Sequence, residues 1–171
     1  SSERRGRRRS AGRGEIAPAS PERLERYRGY RAGLTAAGVD HDPRLQVCAI
    51  STEASGYEAM QALLERRVPF DAVFGASDLI AIGAMTALAA AGRRVPEDVA
   101  VLGFDGIPMG AFTRPALTTV AQDTKRAGQL LVQTLVHLIE GEPVECVTLP
   151  PRLIVRGSCG AAPAEGPEAH E

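Results

Sequence analysis

From residue 20 onward the apolar positions of this chain fall by turns at helical and at strand spacing. Leu24, Tyr27, Tyr30 and Leu34 recur three and four apart. Ahead of them, Ser20-Pro21-Glu22 supplies an N-cap, a proline at the first helical position and an early acid, and Gly38 stops the helix. Residues 45–50 alternate and then run apolar, as a strand does. Ser51-Thr52-Glu53 opens a second helix with Tyr57, Met60, Leu63 and Leu64 on one side, ending before Pro69. A strand over 70–75, a helix over 78–91 closed by Gly92, and a strand over 99–104 follow. After them come a short strand over 118–121, an amphipathic helix over 123–140 stopped at Gly141, and short strands over 144–149 and 152–155 flanking Pro150-Pro151. Strands alternating with helices predict an α/β fold with parallel pairing and right-handed crossovers. In such sheets ligands sit beyond the carboxyl ends of the strands. The strands over 70–75 and 99–104 run into Ser77-Asp78 and Asp105, so the expected chemistry is recognition of a small molecule.

Two helices stand out. The one over 79–91 has no charged side chain before Arg93, and a surface helix would show a polar stripe. It must be covered on both sides, by the sheet and either by a neighbouring helix or by a second subunit at Ile82 and Met85. The helix over 123–140 places Leu130, Leu131, Leu135, Leu138 and Ile139 on one apolar side.

Composition narrows the function classes. The chain has 171 residues, a net charge of −1, no Trp and only 4% aromatic residues, which calls for a finely packed aliphatic core. Its charge is uneven: residues 1–14 carry +5 and the remainder −6. The arginines Arg4, Arg5, Arg7, Arg8 and Arg9 suit phosphate contacts by counterion release, or form a leader without regular structure. Cys48, Cys146 and Cys159 lack the spacing of a metal site or a disulfide frame and read as reduced thiols. His41, His137 and His170 are isolated. No apolar run reaches the ~18 residues of a membrane span, and no signal-peptide core follows the arginines, so a cytoplasmic location without membrane contact is expected. Catalysis is not expected. The carboxylates Glu97-Asp98 diverge in a turn, no nucleophile, base and orienter assemble from spacing, and no phosphate-binding glycine loop is present, so neither catalytic residues nor a cofactor nor a metal is implied.

The runs Pro69-Phe70-Asp71-Ala72-Val73-Phe74, Asp78-Leu79-Ile80-Ala81-Ile82-Gly83-Ala84, Val95-Pro96-Glu97-Asp98-Val99-Ala100-Val101-Leu102-Gly103-Phe104-Asp105 and Pro115-Ala116-Leu117-Thr118-Thr119-Val120, with Arg26-Tyr27-Arg28-Gly29-Tyr30-Arg31 and Ser55-Gly56-Tyr57-Glu58-Ala59-Met60, resemble the effector-binding domain of lactose/galactose-repressor (LacI/GalR) family transcription regulators over about residues 20–160. The resemblance implies a periplasmic-binding-protein-like (type I) fold: a parallel Rossmann-like sheet flanked by helices, forming the second of two lobes with remnants of the first. It also implies a ligand-sensing, dimerising function with a small effector such as a sugar, and DNA contact through a helix-turn-helix headpiece that this chain lacks. The alternative is the sugar-binding protein of an ABC transporter, which shares the architecture.

By the same resemblance Arg26, Ser77, Asp105 and Ser51 bind the effector, and Ile82, Met85 and Phe112 form a homodimer interface. Ser77 stands where asparagine is usual, and Ser51 and Thr124 where aromatics often stack on the ligand. Arg26 offers a bidentate donor to hydroxyls or a carboxylate, and Asp105 accepts from hydroxyls or amines. Each has another reading. Ser77 or Asp78 serves equally as an N-cap, Asp105 as a turn residue before Gly106, and Arg26 as part of a solvated face with Arg23, Arg28 and Arg31.

The expected organisation is a disordered basic leader over 1–19, the C-terminal lobe over 20–117, and a segment over 118–149 that packs in the N-terminal lobe. A return to the C-terminal lobe over 150–159 and a disordered tail over 160–171 complete it. The start of the lobe's first strand is expected in Gly12-Arg13-Gly14-Glu15-Ile16-Ala17. Without an N-terminal lobe, Leu130, Leu131, Leu135 and Leu138 lose their cover. At about 1.5–3 kcal/mol per large apolar side chain, this rivals the stability of a whole domain, so the helix is expected to drive aggregation, or to dock on the remaining lobe or on a second copy.

Overall fold

The computed structural model describes residues 10–12 and 21–161. A five-stranded sheet has the order β1-β2-β3-β4-β5, with β1 at Ser10–Gly12, β2 at Ala72–Phe74, β3 at Ala100–Asp105, β4 at Thr118–Ala121 and β5 at Arg152–Ile154. The first four strands are parallel, as expected from the alternation with helices, and β5 runs antiparallel to β4. Four α-helices accompany it among the described residues: α1 Pro21–Ala36, α2 Glu53–Glu65, α3 Asp78–Ala90 and α4 Thr124–Glu140. The core lies where α2 and α3 meet β2 and β3. Met60, Leu63, Leu88, Val101 and Leu117 are fully enclosed there.

Local chemistry sets the helix ends. Thr52 caps α2 by accepting the Ser55 N–H, and Asp123 caps α4 by accepting the Arg126 N–H. At the far end of α4, Gly141 adopts φ +76, the left-handed conformation that only glycine takes without cost.

The question of what covers α3 has a clear answer. Its second cover is α2, and the two backbones touch. A Cβ built on Gly83 would lie 2.0 Å from the Glu53 carbonyl oxygen, and one on Gly56 would lie 2.4 Å from that of Ile80. Met85 is 7% exposed, while Ile82 is only partly buried.

Several sequence expectations are corrected. Residues 45–50 pair with no strand among the described residues: a 3-10 turn at Pro43–Leu45 precedes a segment without a ladder partner there. The Arg66 guanidinium donates to the carbonyls of Arg44 and Gln46, so these acceptors are satisfied without a neighbouring strand. Residues 144–149 likewise form no strand and are nearly all exposed. Ser10–Gly12, expected within the leader, is the edge strand β1, parallel to β2. The strand over 118–121, expected in a segment that packs in the N-terminal lobe, pairs with β3 in the same sheet, Gly103 opposite Thr119. The rest of the leader, Ser20, the stretch from Gly14 to Ala17 and residues 162–171 with His170 lie outside the described residues.

The helix α4 behaves as its pattern implies. None of its residues is buried against any described residue. Leu131, Val132, Leu135, Leu138 and Ile139 are 55–77% exposed, and only Ala127, Leu130 and Thr134 are partly covered.

Candidate functional site

The carboxyl ends of the sheet strands bring together residues far apart in the chain. On α1, Arg26, Tyr27, Tyr30 and Leu34 share the inward side. The Tyr30 ring stacks on Phe74 at the end of β2, with centroids 6.3 Å apart and planes 14° from parallel, and Tyr27 stacks on Tyr30. This ladder fixes the helix against the sheet and holds Arg26 over the strand tips. Tyr27 also hydrogen-bonds Gln46 and lies 3.3 Å from His41, so His41 packs against α1 rather than standing alone.

Arg26 Nη1 donates to the carbonyl of Ala76, 2.7 Å away just beyond β2. Its guanidinium carbon sits 4.0 Å from the centroid of the Phe104 ring, a cation–π contact. Its Nη2 is 3.7 Å from Asp105 Oδ1, close enough for charge attraction and too long for a hydrogen bond. The side chain is 22% exposed, against 64% for Arg28, which pairs with Glu25. Arg26 is therefore not part of the solvated face.

Asp105 ends β3 in an unusual backbone, φ +115, followed by Gly106 at φ +78. For a residue with a Cβ this conformation is strained, and the neighbours over-determine it. The Asp105 carbonyl accepts from Gln122 N, its carboxylate accepts from Gln122 Nε2, and Asp78 Oδ2 accepts from Ile107 N at 2.8 Å. Burial pushes the Asp105 carboxyl above its ordinary value, against the pull of Arg26, and the Asp78 charge adds to the rise. A half-buried acceptor beside a partly spent arginine suits a neutral ligand with adjacent hydroxyls, which can donate to Asp105 and accept from Arg26.

Asp78 is fully buried and acts as a brace. Its Oδ1 accepts from Thr119 Oγ1 at 2.6 Å, which joins α3, the turn after β3 and β4. Ser77 takes the capping role: its hydroxyl accepts from Ile80 N, and the residue is 2% exposed. The structure thus tucks Ser77 behind the rim rather than at its surface. Ser51 is exposed, immediately before the α2 cap, and makes no hydrogen bond to the cluster among the described residues. Thr124 is exposed at the start of α4. Phe112 is 82% exposed. Of the four residues expected at the effector, Arg26 and Asp105 are brought together.

Sequence reading missed Phe104, Asp78's bracing role and Gln122. A signal existed for Phe104, because it is the one aromatic residue at the end of β3, directly before Asp105. Two surface hollows occur elsewhere, one of about 310 Å3 lined by Leu64, Arg67, Pro69, Phe70 and Arg93 at the amino ends of β2 and β3. It lacks the paired donor and acceptor of the Arg26–Asp105 cluster. Among the described residues no group of three or more His, Cys, Asp or Glu side chains is placed to hold a metal, and Cys48, Cys146 and Cys159 form no disulfide with one another. No helix there is long and apolar enough to cross a membrane.

Comparison with known proteins agrees with this geometry. Residues 3–159 match the family model described as a periplasmic binding protein-like domain. The transcriptional regulator CelR of Thermobifida fusca is 44% identical over 126 residues, covering 74% of this chain and 37% of the relative. The ribose operon repressor of Escherichia coli K12 is 36% identical over 141 residues, covering 81% and 42%. A solved structure described as a complex of the regulator CelR with cellobiose superposes with a TM-score of 0.82 at 41% identity, over 90% of this chain and 47% of that one. The chain spans less than half the length of the curated relatives it matches.

Proposed function

We infer that this chain, which belongs to the periplasmic-binding-protein-like domain family as it occurs in LacI-type regulators, is the effector-sensing part of a bacterial transcription regulator. The observation that carries this reading is the junction of Arg26, Phe104 and Asp105 at the tips of aligned parallel strands. The effector is a sugar or related polyol. Asp105 accepts from its hydroxyls, Arg26 donates to them, and Phe104 and the Tyr30–Phe74 stack provide apolar ground beside them. The cellobiose seen in the CelR structure supports a carbohydrate.

Ser77 enters this scheme by fixing the first turn of α3, and Ser51 borders the site from the α2 cap. The regulator works in the cytoplasm as a homodimer with Ile82, Met85 and Phe112 at its interface, and operator DNA is contacted by a headpiece outside residues 20–159. Effector binding acts by differential affinity for two lobe arrangements, which shifts the headpieces. The relatives are named as transcriptional regulators, which supports this role over an enzyme or a transport-associated binding protein.

The test is a titration of the 15N-labelled chain with cellobiose, ribose and a panel of mono- and disaccharides, followed by amide shifts. A saturable response centred on residues 26, 76, 104–106 and 122, lost in Arg26→Ala, is the expected result. Responses confined to other surfaces, or none with any sugar, would overturn the reading.

A further inference from the structure

At the amino ends of the strands, opposite the effector cluster, two arginines carry charges that no carboxylate pairs. Arg67 follows the end of α2 and Arg93 the end of α3; both are exposed, and neither makes a hydrogen bond or ion pair among the described residues. Their neighbours are already engaged. Arg66 donates to the Arg44 and Gln46 carbonyls, and Asp98, whose charge Arg93 also feels, takes the Arg94 guanidinium on both its oxygens. Arg67 and Arg93 line one hollow of about 310 Å3 with Leu64, Val68, Phe70 and Val99. Leu64, Val68 and Phe70 pack on the core and Val99 is 2% exposed, so the floor is apolar and the rim doubly basic. Such a hollow takes a segment of small apolar side chains that also carries carboxylates.

The chain delivers a segment of that kind to this place. Asp98 N and Val99 N both donate to the Arg94 carbonyl, closing a turn with Arg93 and Val99 at its ends and Pro96 between them. Gly160 lies against Pro96: a Cβ on it would be 3.5 Å from the Pro96 Cβ. Residues 162–171, which follow, have no Lys or Arg and place Glu165, Glu168 and Glu171 at every third position, among Ala, Gly and two prolines. Three residues is the repeat of a polyproline II helix, which prolines favour, so that conformation sets the three acids on one side, about 9 Å apart. Ten residues at about 3.1 Å each reach about 31 Å, ample to run from Pro96 across the hollow.

We propose that residues 162–171 dock in this hollow of their own chain, with Glu165 and Glu168 against Arg67 and Arg93 and with Pro163 and Pro167 over the apolar floor. Single surface ion pairs contribute little, but a short tether holds both acids at an effective concentration on the order of millimolar, so weak contacts act together. The docking surface is separate from Arg26 and Asp105 and does not depend on any effector.

Nuclear magnetic resonance of the full 171-residue chain tests it. Overhauser contacts are expected between residues 163–168 and the methyl groups of Leu64, Val68 and Val99, unaltered by dilution. The reversals R67E/R93E and E165K/E168K should each lower the docked fraction by about fivefold or more, as should salt near about 1 M. The four-fold combination should restore the contacts, because the signs are exchanged on both sides. Unchanged methyl signals from Leu88 and Val101 show that each variant keeps its core. Contacts that persist in R67E/R93E would assign the segment to another surface, the arginines between residues 4 and 9 included, and overturn the proposal. So would contacts that fade on dilution, which belong to the segment of a second copy, or a parent chain that shows none.

Discussion

The helices α3 and α4 are of similar length and both rich in Leu, Ile, Val and Ala, yet they end in opposite circumstances. In α3 the apolar residues go all the way round, and eight of its thirteen residues are buried, between the sheet and α2. In α4 they are gathered on one broad side, with polar residues opposite, and nothing is buried among the described residues. A helix without a polar stripe has to find cover on two sides before the domain is stable, so its neighbours are internal and intimate, down to the backbone contact at Gly56 and Gly83. A one-sided helix remains soluble while it waits, so its partner need not come from the same fold. The same element type therefore serves as core in one place and stays uncovered among the described residues in the other.

The sharpest test of that contrast is truncation at matched leucines. Leu88→Ala in α3 should cost about 2–5 kcal/mol of unfolding free energy in urea, from lost transfer and the cavity left behind. Leu135→Ala, measured where the chain is monomeric, belongs at the other extreme, within about 0.5 kcal/mol of the parent. Equal costs at the two sites would break the comparison.

Next in size is Gly83→Ala, expected to destabilise by about 1–3 kcal/mol, because a Cβ there meets the Glu53 carbonyl and backbone cannot step aside. Gly33→Ala on α1, whose Cβ meets nothing, should instead stabilise by about 0.5–1 kcal/mol. Asp78→Ala should cost about 1–3 kcal/mol by leaving the Thr119 hydroxyl and the Ile107 N–H without their acceptor. Its second readout is sugar binding: the turn that holds Asp105 loosens, and affinity falls even where the fold survives.

The smallest effect is the pH response of Asp105. Its carboxyl is raised above the ordinary 3.8 by burial, so the folded state binds the proton more tightly than the unfolded one. The resulting stability is fully present below the unfolded value and is lost as pH rises through the folded one. Asp105→Asn should therefore remove the part of the acid-side gain that belongs to this group, read as a parent-minus-variant difference in melting temperature that grows as pH falls from the folded value towards the unfolded one. A difference that shrinks on acidification would contradict the assignment. Effector affinity should move the opposite way, weakening as pH falls through the raised value, because a protonated carboxyl accepts fewer hydrogen bonds.

Much of the molecule was legible before any coordinates. Periodicity located all four helices and the strands β2, β3, β4 and β5, and the resemblance carried Arg26 and Asp105 to a common place. The failures are of one kind. Residues 45–50 carry a strand's alternation, but a ladder needs a partner edge and the carbonyls of Arg44 and Gln46 are taken by Arg66. Ser77 left capping and ligand contact open, and the structure shows its hydroxyl capping α3 at 2% exposure. Phe104 reads as one more apolar strand residue until Arg26, seventy-eight positions earlier, is laid over its ring.

What residue order determined alone is which faces must leave water: hydrophobic spacing is a local property, set by the geometry of 3.6 and of 2 residues per repeat. It specified that α3 needs two covers and α4 one. Which surfaces meet was decided by tertiary structure alone, since the match of Gly83 to Glu53, of Arg26 to Phe104, and of Asp78 to Thr119 and Ile107 joins segments whose separation along the chain carries no periodic trace. Burial has no direction, whereas hydrogen bonds and close backbone contacts do, so the first can be read along a line and the second only in space.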